Sequence, residues 1–418
     1  MVEVENKVQR YERYKDSGVE WLGEIPEHWD LTRLGTRFKE RKTKVSDKDF
    51  PPLSVTKNGT VPQLANAAKS NDGDNRKLVK KGDFAINSRS DRKGSSGIAY
   101  QDGSVSLIYI VMEPLNIHPI YCNYLLKSYN FIEEFYRMGH GIVADLWTTR
   151  YDEMKAIMVG IPPLSEQTKI AQFLDDKTTK IDDAIAIKEQ QINLLKERKQ
   201  ILIHKAVTRG LDDSVTLKDS GVEWIGEIPE HWEVKRLKFT SNLVSEKVSS
   251  KESQLEYIGM ENIESWTGNY ISSDSETDGL ANYFDKGDVL FGKLRPYLAK
   301  VYLAKKEGIC STEFLVYRTG KLIYNWYLNL IMLSFEFINL IDSSTYGSKM
   351  PRANSEFIGN QLIPIPLLSE QKEISAYIET ASKKIETAIG LKQQEIAKLR
   401  EYKSSLINGV VTGKVRVC

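Results

Sequence analysis

The sequence has few of the features that mark secreted, metal-binding or membrane proteins. Its three cysteines lie more than a hundred residues apart and predict neither a disulfide framework nor a C-x-x-C metal site. The most apolar window, residues 327–341, is too short to span a bilayer and contains Asn329, Glu336 and Asn339. Residues 1–7 alternate charges with single valines and lack the apolar core of a secretory signal. We therefore expect a cytoplasmic protein without a membrane segment.

The sequence also lacks the motifs of enzymes that act on nucleic acids. There is no Asn-Pro-Pro-aromatic loop to hold a flipped base, and the nearest match, residues 161–164, has no asparagine. Residues 409–414 approach a P-loop, but the motif is one residue short and lacks the hydroxyl that binds magnesium. No two of the five histidines have the H-x-x-x-H spacing of a zinc site. We expect no catalytic residue and no metal ligand in this chain.

Neither sign of charge is in excess. The 58 basic and 57 acidic residues give a net charge of +1, so no global field draws the protein onto nucleic acid. A length of 418 residues with 41% apolar residues predicts a folded protein of two or three domains. Any binding of DNA must come from local patches.

What the sequence does contain is an internal repeat. Residues 15–29 read KDSGVEWLGEIPEHW and residues 218–232 read KDSGVEWIGEIPEHW, fourteen matches in fifteen positions at an offset of 203. Farther along, IPPLSEQ at residues 161–167 corresponds to IPLLSEQ at residues 365–371. For His28 and His231, inside the first block, packing or a partner contact is favoured over catalysis. The chain is therefore a tandem duplication of one sequence module.

Between these anchors the two halves differ. Residues 39–100 share little with residues 238–302 beyond a Gly-Asp step, which predicts a turn in each half. Strands are predicted for the short apolar runs 84–86, 105–112, 289–291 and 314–317. Helices are predicted for residues 120–136 and 324–341. Each half is thus expected to be a mixed α/β domain with its own variable surface.

Each half ends in a long polar segment with a helical stripe of apolar residues. The helices are predicted from residue 165 to about 207 and from residue 369 to about 411, with Ser165 and Ser369 as N-caps. The predicted seam consists of Ile170, Leu174, Ile181, Ile185, Ile192, Leu195 and Leu202, and of Ile374, Ile378, Ile385, Ile389, Ile396, Leu399 and Leu406. Because so narrow a stripe needs a partner along one side, we expect the helices to pair as an antiparallel coiled coil.

These elements predict an α+β architecture. Two mixed α/β domains in tandem, each followed by a long helix, would be related by a pseudo-two-fold axis and held at the ends of a rod of roughly 60 Å. The predicted parts are a first domain (1–164), a central helix (165–208), a second domain (209–368), and a C-terminal helix with its tail (369–418).

Contact with nucleic acid is expected at local basic loops. Residues 69–97 carry a net charge of +4, and their Ser- and Gly-rich part, residues 87–97, offers the Asn and Arg side chains that bond base edges bidentately. Its counterpart is residues 292–297, and a second pair of loops spans residues 139–150 and 343–352. The candidate DNA-binding residues are Asn87, Ser88, Arg89, Arg92, Lys93, Arg150, Lys293, Arg295, Tyr346, Lys349 and Arg352. A solvated loop, or phosphate clamping without base readout, is the alternative.

The repeated block, the Gly-Asp step, the Leu-Ser-Glu-Gln helix start and the doubled order of domain and helix together resemble the specificity subunit of Type I restriction-modification systems. The resemblance covers essentially the whole chain. It implies two target-recognition domains, each reading one half of an asymmetric bipartite site in double-stranded DNA, with the paired helices measuring the gap.

The same resemblance implies several partners. Two methylation subunits would dock on the helices and carry S-adenosylmethionine, and separate restriction subunits would translocate and cut DNA with ATP and magnesium. This chain would hold no cofactor itself. Lys188 and Lys392, at matched positions on the helices, are candidate partner contacts, with a solvated helix face as the alternative.

Two other functions are weighed against DNA recognition. A non-enzymatic protein scaffold fits the neutral net charge but leaves the divergent basic loops unexplained. An enzyme with an unrecognised site would need an acid-base set, and the two halves share none. DNA recognition by a non-catalytic subunit is therefore the favoured function.

Overall fold

The chain forms two compact units. The computed structural model describes residues 9–65, 73–141, 147–273, 279–345 and 349–417. The first unit consists of residues 1–188 and 394–418, and the second of residues 189–393. Each unit thus holds one domain of the repeat with part of both long helices. The predicted division at residues 164, 208 and 368 treats each long helix as a separate part, and it stays a prediction.

The first unit is built from short strands followed by helices. The strands are β1 (Tyr14–Asp16), β2 (Glu24–Pro26), β3 (Asp30–Arg33), β4 (Phe38–Glu40), β5 (Lys44–Val45), β6 (Leu53–Thr56), β7 (Gly59–Pro62), β8 (Arg76–Val79), β9 (Phe84–Asn87), β10 (Ser96–Ile98), β11 (Gly103–Val105), β12 (Tyr109–Pro114) and β13 (Met158–Ile161). The helices are α1 (Pro119–Lys127), α2 (Tyr129–Arg137), α3 (Tyr151–Met154) and α4 (Leu164–Arg209), which runs on into the second unit.

The second unit repeats this order. The strands are β14 (Leu217–Asp219), β15 (Glu227–Pro229), β16 (Glu233–Arg236), β17 (Ser241–Val244), β18 (Lys247–Ser249), β19 (Tyr257–Ile258), β20 (Leu280–Phe284), β21 (Val289–Gly292), β22 (Val301–Leu303), β23 (Gly308–Ser311), β24 (Phe314–Thr319) and β25 (Leu362–Ile365). The helices are α5 (Asn325–Leu333), α6 (Phe335–Ser343), α7 (Ser355–Asn360) and α8 (Leu368–Val411), whose end belongs to the first unit.

A four-stranded antiparallel sheet is common to both units. Its strand order is β10-β9-β12-β4 in the first unit and β22-β21-β24-β17 in the second. The registers correspond at an offset of 205, since Asn87 pairs with Tyr109 and Gly292 pairs with Phe314. A second sheet has the order β11-β8-β5 in the first unit and β18-β20-β23-β19 in the second. The divergent sequences therefore form equivalent sheets.

Both faces of the central sheet of the first unit are buried. Ile86 and Ile110 pack into the core shared with α1 and α2, whereas Ala85 and Val111 pack against residues of the second sheet. Successive side chains on a strand point to opposite faces, so a strand covered on both sides reads as a continuous apolar run. This is why FAI at residues 84–86 is apolar throughout.

Two of the predicted elements are interrupted. Residues 120–136 form two helices, because Ser128 adopts an extended backbone that ends α1 and its hydroxyl accepts the Phe131 N–H at the start of α2. The extended backbone of Ser334 divides residues 324–341 in the same way. The predicted strand 105–112 is also divided, between the end of β11 and the start of β12. The sequence pattern predicted the positions of these elements correctly, but it predicted one continuous element where the structure has two.

The long helices begin one residue earlier than predicted. Leu164 and Leu368 are their first residues, so Ser165 and Ser369 lie in the first turn and are not N-caps. The Gln of each Leu-Ser-Glu-Gln motif fixes the helix start, since buried Gln167 donates to the Pro162 carbonyl at 2.8 Å. The repeated motif is therefore explained by contacts of its Gln.

The two long helices pair antiparallel, as predicted. In the first unit, Lys403 of α8 contacts Asp182 of α4 and Glu395 contacts Lys188, so residue numbers on one helix fall as those on the other rise. In the second unit, Lys199 lies 2.9 Å from Glu386. All predicted seam residues are buried or half-buried. Within the described ranges, no helix combines the length and the apolar character needed to cross a membrane.

The helix ends complete the domain cores. Val410 and Val411 of α8 are fully buried in the core of the first unit, with α1 and α2. Ala206 and Val207 of α4 occupy the corresponding place in the core of the second unit. Each core is thus closed by a helix that follows the other half of the repeat.

Candidate nucleic-acid interface

The two loops predicted to contact DNA lie side by side in the first unit. The Ser90 N–H donates to the Trp147 carbonyl at 3.1 Å, and the Thr149 N–H donates to the Ser88 carbonyl at 2.9 Å. These bonds join the loop after β9 to the segment before α3. Side chains chosen independently from the sequence therefore share one surface.

The second unit pairs its two loops in the same manner. The Arg295 N–H donates to the Pro351 carbonyl at 2.8 Å, and the Ala353 N–H donates to the Lys293 carbonyl at 2.9 Å. These bonds join the loop after β21 to the segment before α7. The backbone frame that presents the candidate side chains is therefore common to both units.

A single β-bridge marks the centre of each loop pair. Arg89 stands opposite Thr148 in the first unit, and Leu294 stands opposite Arg352 in the second. The equivalent positions carry different side chains. The arginine of the bridge belongs to the first loop of the pair in the first unit and to the second loop in the second unit. Shared backbone with exchanged side chains is the arrangement expected of surfaces that read different targets.

A buried ion pair supports the strand that leads into the first loop. Gly82 has a φ of +93°, a conformation that favours glycine, and the following Asp83 is 2% exposed. Arg41 donates to the Asp83 carboxylate at 2.6 and 3.0 Å, and the Lys80 N–H donates to it at 2.8 Å. The predicted turn is confirmed, and its aspartate is structural.

The second unit builds the same turn with a guanidinium from another strand. Gly287 also has a φ of +93°, and Asp288 accepts the Asp285 N–H at 2.8 Å. Its arginine is Arg318 of β24, at 2.7 and 3.0 Å, whereas Arg41 of the first unit follows β4. The sequence repeats the Gly-Asp step and not the arginine because different strands of the sheet supply the positive charge in the two units.

Two candidate residues of the first loop point inward. Asn87 is fully buried; its Oδ1 accepts the Arg89 N–H at 2.9 Å, and its carbonyl accepts the Tyr136 hydroxyl at 2.9 Å. The hydroxyl of Ser88 donates to the Ile108 carbonyl at 2.6 Å. Both residues shape the loop in this structure, and contact between their side chains and DNA stays a prediction.

The basic residues of the first loop are exposed. Arg89 and Arg92 lie at the surface. Burial raises the pKa of the nearby Tyr109 hydroxyl, and the positive charge of Arg92 opposes this rise. Lys93 lies 2.6 Å from Glu133 and over the Tyr136 ring. An ammonium held by a carboxylate must exchange that partner to bind a phosphate. Arg89 and Arg92 are therefore the more available of the three.

The candidates that border the second loops are placed by short helical turns. Arg150 is exposed, immediately before α3, and its N–H donates to Glu153 at 2.7 Å. In the second unit, Lys293 and Arg295 are half-buried, and Arg295 has a φ of +51°. All three lie on the paired loops, and their contact with DNA stays a prediction.

The remaining candidates come from the segment before α7. Lys349 is exposed, and Arg352 makes a bidentate contact with Glu313 at 3.0 to 3.2 Å that raises the pKa of the guanidinium. Tyr346 lies outside the described residues. Arg352 is thus neutralised by a carboxylate in this structure, which sequence spacing gave no means to foresee.

Part of the basic patch at residues 69–97 belongs to the interior. Arg76 is 6% exposed and donates to the Ser104 hydroxyl at 2.8 Å, and Lys77 donates to the Tyr109 carbonyl at 2.8 Å. Burial lowers the pKa of both side chains. Residues 66–72 lie outside the described part of the chain. The surface charge is therefore carried by fewer residues than the sequence count of +4 implies.

The repeated Glu-His-Trp block holds the start of each long helix. His28 lies 2.8 Å from Glu166, which also accepts the Trp29 indole N–H at 3.0 Å. In the second unit, Glu370 contacts His231 and Trp232 at 3.1 and 2.9 Å. In each unit the Glu-His-Trp motif thus packs against the glutamate of the Leu-Ser-Glu-Gln motif, which explains why both motifs are repeated.

The candidate partner contacts on the helices differ in their surroundings. Lys188 forms an ion pair with Glu395 inside the first unit, while Lys392 is half-buried on α8 in the second unit. The equal spacing of the two lysines therefore does not give them equal contacts. Their role in binding partners stays a prediction.

Comparison with known proteins identifies the family of both units. The model of the Type I restriction modification DNA specificity domain matches residues 26–197 and again residues 229–398. The chain belongs to this family. As a Type I DNA specificity subunit, it carries two tandem recognition domains, and the match favours DNA recognition over the scaffold alternative.

Relatives resemble this specificity subunit over most of its length. The MjaVIII specificity subunit of Methanocaldococcus jannaschii is 25% identical over 94% of both chains. The EcoDI specificity subunit of Escherichia coli is 26% identical over 67% of this chain and 68% of its own.

Solved structures show that the fold is shared. A chain from a study of complex assembly and conformational transition in a type I R-M system has a TM-score of 0.67 and 14% identity, covering 93% of this chain and 98% of its own. The HsdS subunit of Thermoanaerobacter tengcongensis has a TM-score of 0.51 and 14% identity, with 94% and 98% covered.

Proposed function

We propose that each recognition domain reads one half of an asymmetric bipartite DNA site through its paired loops. The observation that carries the proposal is the common backbone frame of the loops, which presents different side chains in the two units. Base edges in the major groove are distinguished by the side chains that reach them, so two different loop surfaces read two different half-sites.

The paired long helices are proposed to set the gap between the half-sites. Ion pairs join the helices in both units, and seam residues are buried or half-buried along their length. A helix pair of this kind is a stiff spacer, because neither helix can bend without breaking contacts with the other. The number of base pairs between half-sites then follows from helix length.

The chemistry is proposed to reside on partner subunits. Two methylation subunits dock on the helices, with Lys188 and Lys392 as candidate contacts, and bring S-adenosylmethionine. Restriction subunits bring ATP and magnesium. The chain itself would select the DNA target and would neither methylate nor cut it.

Co-expression with a methylation subunit, followed by mapping of methylated bases in genomic DNA, tests the proposal. The expected result is a single motif with two specified parts and a fixed gap. Binding of that motif should weaken steeply with added salt, because phosphate contacts release counterions. Absence of both methylation and salt-dependent DNA binding would contradict the proposal.

A further inference from the structure

The loop after β21 contains an unusual concentration of backbone strain. Among the described residues, four that are not glycine have a positive φ. Arg295 and Ala299, at +51° and +46°, lie in this loop, and Trp266, at +67°, lies between β19 and β20. The Trp266 N–H donates to the Ala299 carbonyl at 3.1 Å, so these distortions belong to one structure. Left-handed conformations of such residues persist only where surrounding contacts enforce them, and they cluster at functional sites.

The strained residues bracket a single turn of 3-10 helix with a tyrosine at its tip. Arg295 precedes and Ala299 follows the turn, and the Ala299 N–H donates to the Pro296 carbonyl at 2.8 Å. Between them Tyr297 is 46% exposed. Within the described part of the chain, no hydrogen bond holds its hydroxyl. The strain therefore fixes the position of an aromatic side chain that the protein itself leaves uncovered.

The first unit has an arginine at the equivalent position. The Asn87 N–H donates to the Ser95 carbonyl and the Gly292 N–H donates to the Lys300 carbonyl, both at 2.9 Å, which fixes an offset of 205 across the loop. Arg92 is then the counterpart of Tyr297. In the position of Ala299 the first unit has a glycine, which adopts a positive φ without strain.

The two units also differ in the residue that begins the strand beside each loop, next to the tip residues Arg92 and Tyr297. In the first unit the Arg92 guanidinium lies beside the hydroxyl of Tyr109, the first residue of β12. The corresponding first residue of β24 is Phe314, which has no hydroxyl to offer. The first unit therefore places a guanidinium beside a tyrosine hydroxyl, and the second fixes the position of an aromatic ring by its backbone.

We propose that Tyr297 is a specificity-determining residue of the second recognition domain, which reads the methyl group of a thymine, and that Arg92 reads a guanine in the first. The thymine methyl is the apolar feature of the major groove, whereas guanine presents two acceptors that match a guanidinium. The inference rests on the proposed function, because it assigns base contacts to loops proposed to read DNA.

The test uses the full chain co-expressed with a methylation subunit and DNA libraries randomised across the site. Tyr297→Ala should relax one position of one half-site and weaken binding of the preferred sequence about tenfold, while binding of unrelated DNA stays the same. Replacing thymine by deoxyuracil at that position should weaken wild-type binding about fivefold and leave the Tyr297→Ala variant unaffected. Arg92→Ala should relax a guanine in the other half-site.

Two variants serve as controls. Tyr297→Phe keeps the ring and should keep the thymine preference; loss of that preference would overturn a contact through the ring. Tyr377 on α8 is 47% exposed in the same unit, and Tyr377→Ala should leave the motif unchanged. Thermal unfolding of each variant separates misfolding from lost recognition.

The outcomes separate this inference from the proposed function. If the wild-type complex selects no sequence, the proposed function fails. If it selects a bipartite motif that Tyr297→Ala leaves intact, or if Tyr297→Ala weakens binding to every sequence equally, the specificity-determining role of Tyr297 is wrong while the proposed function stands.

Discussion

Removing the arginine of the buried ion pair in the first unit should destabilise that unit strongly. The Asp83 side chain is 3% exposed and that of Arg41 is 14% exposed. Among the described residues, Arg41→Met leaves this buried carboxylate with the Lys80 N–H of the turn as its one hydrogen-bond donor. Breaking a buried pair from one side costs about 3 kcal/mol or more, because the remaining charge stays desolvated. The hydrogen bonds to Asp83 also raise the pKa of the Arg41 guanidinium, which stays charged at any pH used.

Two further variants isolate the cause. Arg41→Met combined with Asp83→Asn removes both charges and should recover more than half of the lost stability, because the orphaned charge is gone. Arg13→Met removes the arginine of an exposed ion pair, 3.8 Å from Glu27, and should change the unfolding free energy by less than about 0.5 kcal/mol.

Chemical denaturation together with hydrogen exchange would measure these effects. Exchange in the Arg41→Met variant should accelerate in β4, β9 and β12 and remain unchanged in β17, β21 and β24, which belong to the other unit. A loss below about 1 kcal/mol, or a double variant no more stable than the single one, would refute the reasoning from the buried charge.

Three other predictions test packing, titration and backbone conformation. Val411→Ala and Val207→Ala each empty a fully buried site and should cost about 2 kcal/mol, with faster exchange confined to the first unit for Val411 and to the second for Val207. Burial lowers the pKa of His204, so the unfolded chain takes up the proton more readily; stability should fall as pH drops below about 6.5, and His204→Gln should reduce that slope in denaturation series. Gly94→Ala should cost about 1 kcal/mol in thermal unfolding, because its φ of +81° strains any L-residue although the nearest side-chain atom, on Ile132, lies 3.7 Å from the added Cβ.

The repeat and the long helices were predictable because their signals are periodic and local. Apolar residues on one helical stripe require a partner, and the same steps in both helices required the same pairing, which the contact of Lys188 with Glu395 confirms. The helix starts were one residue in error. A serine before an apolar stripe fits a cap and a first turn equally well, and the fixing contact comes from Gln167.

The adjacency of the candidate loops was more predictable than the contacts of their side chains. Charge and turn residues placed the two loops of each unit, but the bonds that join them connect distant parts of the chain. Burial of Asn87 and the pairing of Arg352 with Glu313 depend on such tertiary contacts, which leave no local pattern in the sequence. Tyr297 lies in the predicted loop 292–297 but was not among the candidate residues, because they were chosen mainly by charge and the backbone strain around it leaves no pattern in the sequence.

The most direct test of the account is an exchange of one recognition domain. Residues 15–161 would be replaced by the corresponding segment of another specificity subunit, and methylated bases would be mapped after co-expression with a methylation subunit. One half of the motif should change, while the other half stays as in the wild type. A change in both halves, or in neither, would contradict the assignment of one half-site to each recognition domain.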